Sequence, residues 1–143
     1  MFLSLVMDVF SRTIVGHDTS DSLEMEGALS ALSMAQRQLP ASATTVHHSD
    51  RGSQYCCGEY VAKLKQREMR ISMTEQNHCY ENGKAERLNG ILKQEYGLGD
   101  TFATKQQVRA AVTEAVELYN HCRPHNSLGN RMPMSVHKSS SAA

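Results

Sequence analysis

The chain has 143 residues, 40% of them hydrophobic, and carries 15 Lys/Arg against 15 Asp/Glu for a formal net charge of zero. That is material for one domain with a modest core. No apolar run reaches the about 18 residues that a membrane-spanning helix needs, and Met1 to Val9 lacks a basic leader and a small-residue cleavage site, so a cytoplasmic protein without membrane contact is expected. Zero net charge argues against a uniformly basic nucleic-acid binder, yet the charge is uneven. Residues 1 to 50 hold two Lys/Arg and six Asp/Glu while residues 51 to 143 hold thirteen and nine, a −4 half followed by a +4 half. The cysteines at 56, 57, 79 and 122 form no paired framework, and adjacent Cys56 and Cys57 cannot easily bridge, so reduced and unligated thiols are expected.

Residues 2 to 9 and 13 to 18 are short and β-branched around Phe10-Ser11-Arg12, which predicts a hairpin. Asp21 and Glu24 resemble a capping pair. Behind them Met25, Ala28, Leu29, Leu32, Ala35 and Leu39 recur at helical spacing until Pro40. Thr44 to His48 reads as a strand, Gly58 to Glu68 as a helix and Arg70 to Met73 as a strand, a crossover of the kind that builds a parallel pair. Thr74 to Glu81 is polar and aperiodic, a loop before a helix whose buried stripe is Ala85, Leu88, Leu92 and Tyr96. Thr104-Lys105-Gln106-Gln107 is a capping box for a last helix with Val108, Val112, Ala115 and Tyr119 inward, and from Ser135 the Ser/Ala-rich tail is expected to fray.

Two carboxylates stand out against this frame. Asp50 lies in His47-His48-Ser49-Asp50-Arg51-Gly52-Ser53-Gln54-Tyr55, and Glu86 in Glu81-Asn82-Gly83-Lys84-Ala85-Glu86-Arg87-Leu88-Asn89-Gly90, with 35 residues between them. Carboxylates are hard anionic donors that suit Mg²⁺ or Mn²⁺, and a pair of such cations can stabilise both the attacking and the leaving oxygen of a phosphoryl transfer. Ser53 and Gln54 near Asp50 offer hydrogen bonds to phosphate, and Gly52 allows close backbone approach. On the helix, Glu86, Asn89, Gly90 and Lys93 share a face next to the buried stripe. Lys93 is the best candidate for a DNA phosphate contact, Lys84 and Arg87 are others, and Asn89 can hydrogen-bond near a metal. Surface solvation is the plain alternative for Lys84 and Arg87, and a polar turn is the plain alternative for the residues around Asp50. His47 and His48 with Cys56 and Cys57 show no zinc-ligand spacing.

With these two contexts, with Leu92-Lys93-Gln94-Glu95, and with Tyr119-Asn120-His121-Cys122-Arg123-Pro124-His125-Asn126-Ser127-Leu128, the chain resembles the integrase-type DDE transposases of insertion sequences, relatives of retroviral integrases. The resemblance ends near Pro133 to His137 and covers nearly the whole sequence. It implies an α/β, RNase H-like mixed sheet flanked by helices, with the first, central strand and its catalytic Asp lying before Met1. Residues 1–138 are then a truncated catalytic core and residues 139–143 a disordered tail. It also implies a transposase that cuts and joins DNA with Mg²⁺ or Mn²⁺ held by Asp50 and Glu86, acting on element ends and target DNA together with other transposase subunits. Without the first Asp the chain is expected to be inert alone. A non-catalytic DNA-binding or transposase-interacting remnant is the alternative of a different class, and an unrelated two-carboxylate nuclease would leave the C-terminal signature a coincidence. Asp8 matches a family position on the second strand, but its separation from Asp50 is shorter than the family's first interval, so a structural role at the strand end is favoured. For Arg123, Pro124 and His125 a packed turn is favoured over DNA contact.

Overall fold

The computed structural model describes residues 2–21, 25–39, 45–49, 58–73, 83–99 and 102–142. In chain order they form β1 (Phe2–Met7), β2 (Ile14–Ser20), α1 (Met25–Arg37), β3 (Val46–Ser49), α2 (Gly58–Gln66), β4 (Arg70–Met73), α3 (Gly83–Glu95), α4 (Lys105–Cys122), a 3₁₀ turn (Asn126–Leu128) and α5 (Pro133–Ala142). The described strands make two pairs, β1 with β2 and β3 with β4. Strand directions are mixed, since the six-residue turn between β1 and β2 is the connection of an antiparallel pair, whereas β3 and β4 run parallel with Val46 opposite Arg70 and Ser49 opposite Met73. The α/β class and the crossover therefore form as expected. The expected cap at Asp21 and Glu24 and the loop from Thr74 to Glu81 involve residues 22–24 and 74–81, outside the described residues.

The chain divides into two compact units. The first comprises Met1–Val6 and Gly16–Glu86. Its core is Ala28, Leu32, Tyr60 and Leu64, with Leu29, Met69 and Ile71 packed against it. Each large side chain buried here contributes about 1.5–3 kcal/mol. Helix α1 comes down on the hairpin through two glycines: a Cβ at Gly16 would overlap the Ala31 carbonyl, and one at Gly27 would sit 2.7 Å from Ser20 Oγ. The amide of Gln36 donates to the Lys63 carbonyl at 3.1 Å and joins α1 to α2.

The second unit comprises Met7–Val15 and Arg87–Ala143. Leu88, Ile91 and Leu92 of α3, Val112, Ala115, Val116 and Tyr119 of α4, and Leu128 and Val136 are buried in it. Thr104 caps α4 by accepting from Gln107 N at 3.1 Å. Gln107 Oε1 returns to Ala103 N, one residue before the position a reciprocal capping box would use. One expectation is corrected. From Ser135 the chain is not frayed but part of α5, because Pro133 suits a first helical position, Val136 is buried, and α5 packs on α4.

Candidate catalytic site

Glu86 lies in the first turn of α3, where a carboxylate is favoured by the helix dipole. It is exposed, and its carboxylate makes no hydrogen bond or ion pair to any described residue. A helix advances about 100° per residue, so Asn89, Gly90 and Lys93 fall within about 60° of Glu86. Asn89 and Lys93 are exposed, and buried Leu88, Ile91 and Leu92 hold the opposite side of the helix. Ile91 is a core residue that the expected stripe omits, while Tyr96 lies just past the helix and is half-buried. Arg87 is exposed at the boundary between the two sides, and Lys84 belongs to the same first turn. Asp50, Ser53 and Gln54 lie outside the described residues, as do Cys56 and Cys57. Strand β3 runs to buried Ser49, the residue before Asp50. No group of three or more His, Cys, Asp or Glu that could hold a metal occurs among the described residues.

The histidines before Asp50 serve the strand. His47 Nε2 lies 2.8 Å from Tyr60 Oη, and the two rings meet edge to face. Burial lowers the His47 pKa. His48 Nδ1 lies 2.9 Å from Ser72 Oγ, its partner in the strand register.

Asp8 is occupied by its own turn. Oδ1 accepts from Phe10 N at 3.0 Å and Oδ2 from Ser11 Oγ at 3.1 Å, while His137 Nδ1 lies 3.0 Å from Oδ2. Ser11 Oγ and Asp8 meet the same ring nitrogen of His137, so this Ser, His, Asp group cannot relay a proton as a nucleophilic triad does.

The C-terminal signature forms a connected cluster. Buried Asn120 binds the backbone of Ile14 through both ends of its amide. Arg123 donates from Nη2 and Nε to Glu95 Oε2 at 2.9 and 3.2 Å, fixing the end of α4 to the end of α3. The His125 ring stands edge to face on Tyr119, and its backbone N donates to the Arg131 carbonyl. Burial, then the charges of Arg123, Arg12 and Arg87, lower the His125 pKa. Burial pushes the Tyr119 hydroxyl up to about 12, partly offset by the same three arginines. A packed turn is therefore what Arg123, Pro124 and His125 build. Asn120 was visible in the sequence only as a motif position, and the partners Glu95 and His137 gave no separate signal.

Residues 1–79 match the family described as integrase core domain, and residues 67–133 match a second family model of the same description. The chain belongs to the integrase core domain family. Transposase InsF for insertion sequence IS3A of Escherichia coli (strain K12) is 34% identical over 134 residues, which are 93% of this chain and 46% of InsF. The chain thus spans about half the length of the curated relatives it matches. Among solved structures, the catalytic core domain of BIV integrase aligns with a TM-score of 0.73 and 19% identity, over 98% of this chain and 87% of that one. The HTLV-2 integrase catalytic core domain in complex with magnesium aligns with a TM-score of 0.69 and 19% identity, over 92% and 80%. These likenesses give the fold, which is that of the RNase H-like integrase cores. Among the described residues no helix is long and apolar enough to cross a membrane.

Proposed function

We propose that this chain is the part of an insertion-sequence transposase core that carries two metal-binding carboxylates, Asp50 and Glu86, and that it serves DNA cutting and joining by phosphoryl transfer. The observation that carries the reading is the exposed Glu86 carboxylate, unengaged among the described residues, on a helix that presents Asn89 and Lys93 on the same side. A carboxylate of that kind is the donor a hard divalent cation needs, and a protein of similar fold, the HTLV-2 integrase catalytic core domain, is in complex with magnesium. When bound, Mg²⁺ or Mn²⁺ would stabilise charge on the attacking and leaving oxygens. The chain's own residues orient the substrate: Lys93 meets a backbone phosphate, Asn89 hydrogen-bonds beside Glu86, and Arg87, Lys84, Ser53 and Gln54 add contacts to the same strand. DNA ends, target DNA and further transposase subunits are the partners.

Asp8, already filled by Phe10, Ser11 and His137, does not supply a third acid. A two-cation site for phosphoryl transfer needs a further acid beside Asp50 and Glu86. The test is end joining in Mg²⁺ by a longer form of the protein that contains the third acid. Glu86→Gln should abolish joining and leave DNA binding intact, whereas joining retained by that variant overturns the reading.

A further inference from the structure

Glu95 sits where local physics disfavours it. It is the last residue of α3, and an acid in the last turn of a helix opposes the helix dipole. It also stands on the other side of the helix from the candidate site. At about 100° per residue Glu95 lies about 180° round from Glu86 and within about 60° of Leu88, Ile91 and Leu92. The buried side of α3 thus ends on a carboxylate, and that carboxylate holds Arg123.

Arg123 is delivered to Glu95 by its own neighbours. Pro124 keeps the residue before it out of the helical region, and Arg123 is the extended C-cap of α4, with φ of −99° and ψ of 111°. From there Nη2 and Nε donate to Glu95 Oε2 at 2.9 and 3.2 Å, Nη1 donates to the Pro124 carbonyl at 3.3 Å, and His125 Nε2 lies 3.5 Å from Nη1. The Arg123 side chain is only 18% exposed, so the fork has little room to swing. Past α3 the chain turns through Gly97, whose φ is 73°, and Leu98 N and Gly99 N return to the carbonyls of Leu92 and Lys93 at 3.2 and 3.4 Å. Side chain and backbone together pin the last turn of α3, the turn that carries Lys93.

Apolar contacts tolerate rotation of a helix about its axis, because hydrophobic attraction is not directional. A planar fork on one oxygen tolerates far less. Helix side chains reach about 5–6 Å from the axis, so a turn of about 10° carries Glu86 and Lys93 about 1 Å round. A displacement of about 1 Å can cost about a hundredfold in rate. We infer that Glu95 and Arg123 are positioning residues for the reaction: their ion pair sets the rotation of α3 and so aims Glu86, Asn89 and Lys93 at metal and DNA. The inference rests on the reading of the chain as part of a DNA-joining core, and it gives Arg123, Pro124 and His125 a function beyond packing.

The test uses a longer form of the protein that contains the third acid, and measures the Mg²⁺-dependent joining rate at saturating element-end DNA beside the affinity for that DNA. Glu95→Gln, Arg123→Gln, Arg123→Lys, the double Gln variant and Glu86→Gln are compared with wild type at a temperature where circular dichroism shows each of them folded. Glu95 is exposed, so Glu95→Gln disturbs the core least. Each single variant of the pair should slow joining by about tenfold or more, Arg123→Lys included because it keeps the charge and loses the fork. Affinity should stay within about twofold of wild type, since no phosphate contact is removed. The double Gln variant should be no slower than the slower single one, because both substitutions remove one contact. Wild-type joining by the pair's single variants, with Glu86→Gln inactive, would overturn the positioning role and leave the DNA-joining reading standing. Losses that multiply in the double variant would give the two residues separate roles, and weakened affinity in Arg123→Gln would make Arg123 a phosphate contact; either result overturns the inference. Joining retained by Glu86→Gln would overturn the DNA-joining reading and the inference with it.

Discussion

The side-chain amide of Asn120 pairs with the backbone of Ile14 as a neighbouring strand would: Nδ2 donates to the Ile14 carbonyl at 3.0 Å, and Oδ1 accepts from Ile14 N at 2.9 Å. Both groups are buried, so a helix side chain satisfies the first residue of β2. Asn120→Ala would leave a donor and an acceptor stranded, at about 1–3 kcal/mol each. We expect a loss of about 2–5 kcal/mol by urea unfolding, and a change below about 0.5 kcal/mol, the scale of ordinary surface substitutions, would contradict the assignment.

Gly16 is set by close approach rather than by a turn. A methyl group there would meet the Ala31 carbonyl of α1, so Gly16→Ala should force helix and strand apart and destabilise by about 1–3 kcal/mol, as overpacked cores do. Gly90, whose Cβ would meet open space, is the control, and Gly90→Ala should hold or raise the melting temperature.

The turn at Asp8 is expected to separate stability from chemistry. Asp8→Ala removes the acceptor shared by Phe10 N, Ser11 Oγ and His137, and should lower stability by about 1–3 kcal/mol. In a longer, active form of the protein at a temperature where the variant is folded, Asp8→Asn should leave metal-dependent joining within a few-fold of wild type. Loss of joining as deep as that of Glu86→Gln would make Asp8 a ligand.

Two histidines link stability to pH. Burial lowers the pKa of His47, and burial with the charges of Arg123, Arg12 and Arg87 lowers that of His125. Each folded pKa then lies below the unfolded value near 6.5, so the unfolded chain takes up protons first as the solution is acidified. Their contribution is complete above about pH 6.5 and is lost as pH falls through the window between the unfolded and folded values. Urea unfolding at pH 7.5 and 5.5 should show a smaller acid-induced loss in His47→Gln and His125→Gln than in wild type. An equal or larger loss in both variants would reverse the sign of this linkage.

Much of this fold is legible in the sequence because local pattern and tertiary need agree. Leu88 and Leu92 recur at helical spacing and are buried, the alternation of strand, helix and strand yields the parallel β3 and β4 pair, and Thr104 both reads as a cap and acts as one. Where they disagree, composition misleads. Ser135 to His137 look like a tail by residue type, yet Val136 is buried and His137 reaches Asp8, 129 positions away. The left-handed backbone of Arg12 has no local signal either, since the turn around Asp8 imposes it. At the candidate site the motif alone singles out Glu86, and the structure adds that α3 carries Asn89 and Lys93 on the same side. Asp50, Ser53 and Gln54 are known from the sequence motif alone.

Whether Glu86 binds the catalytic metal is tested by Mg²⁺-dependent joining of element-end DNA by a longer form of this protein containing the third acid, with and without Glu86→Gln. Joining should fall at least about a hundredfold, the upper end of what outer-shell partners of a metal cost when mutated, while affinity for the same DNA stays within about twofold, because a neutral isostere removes no phosphate contact. Joining retained in the Gln variant at the wild-type rate would contradict metal binding by Glu86.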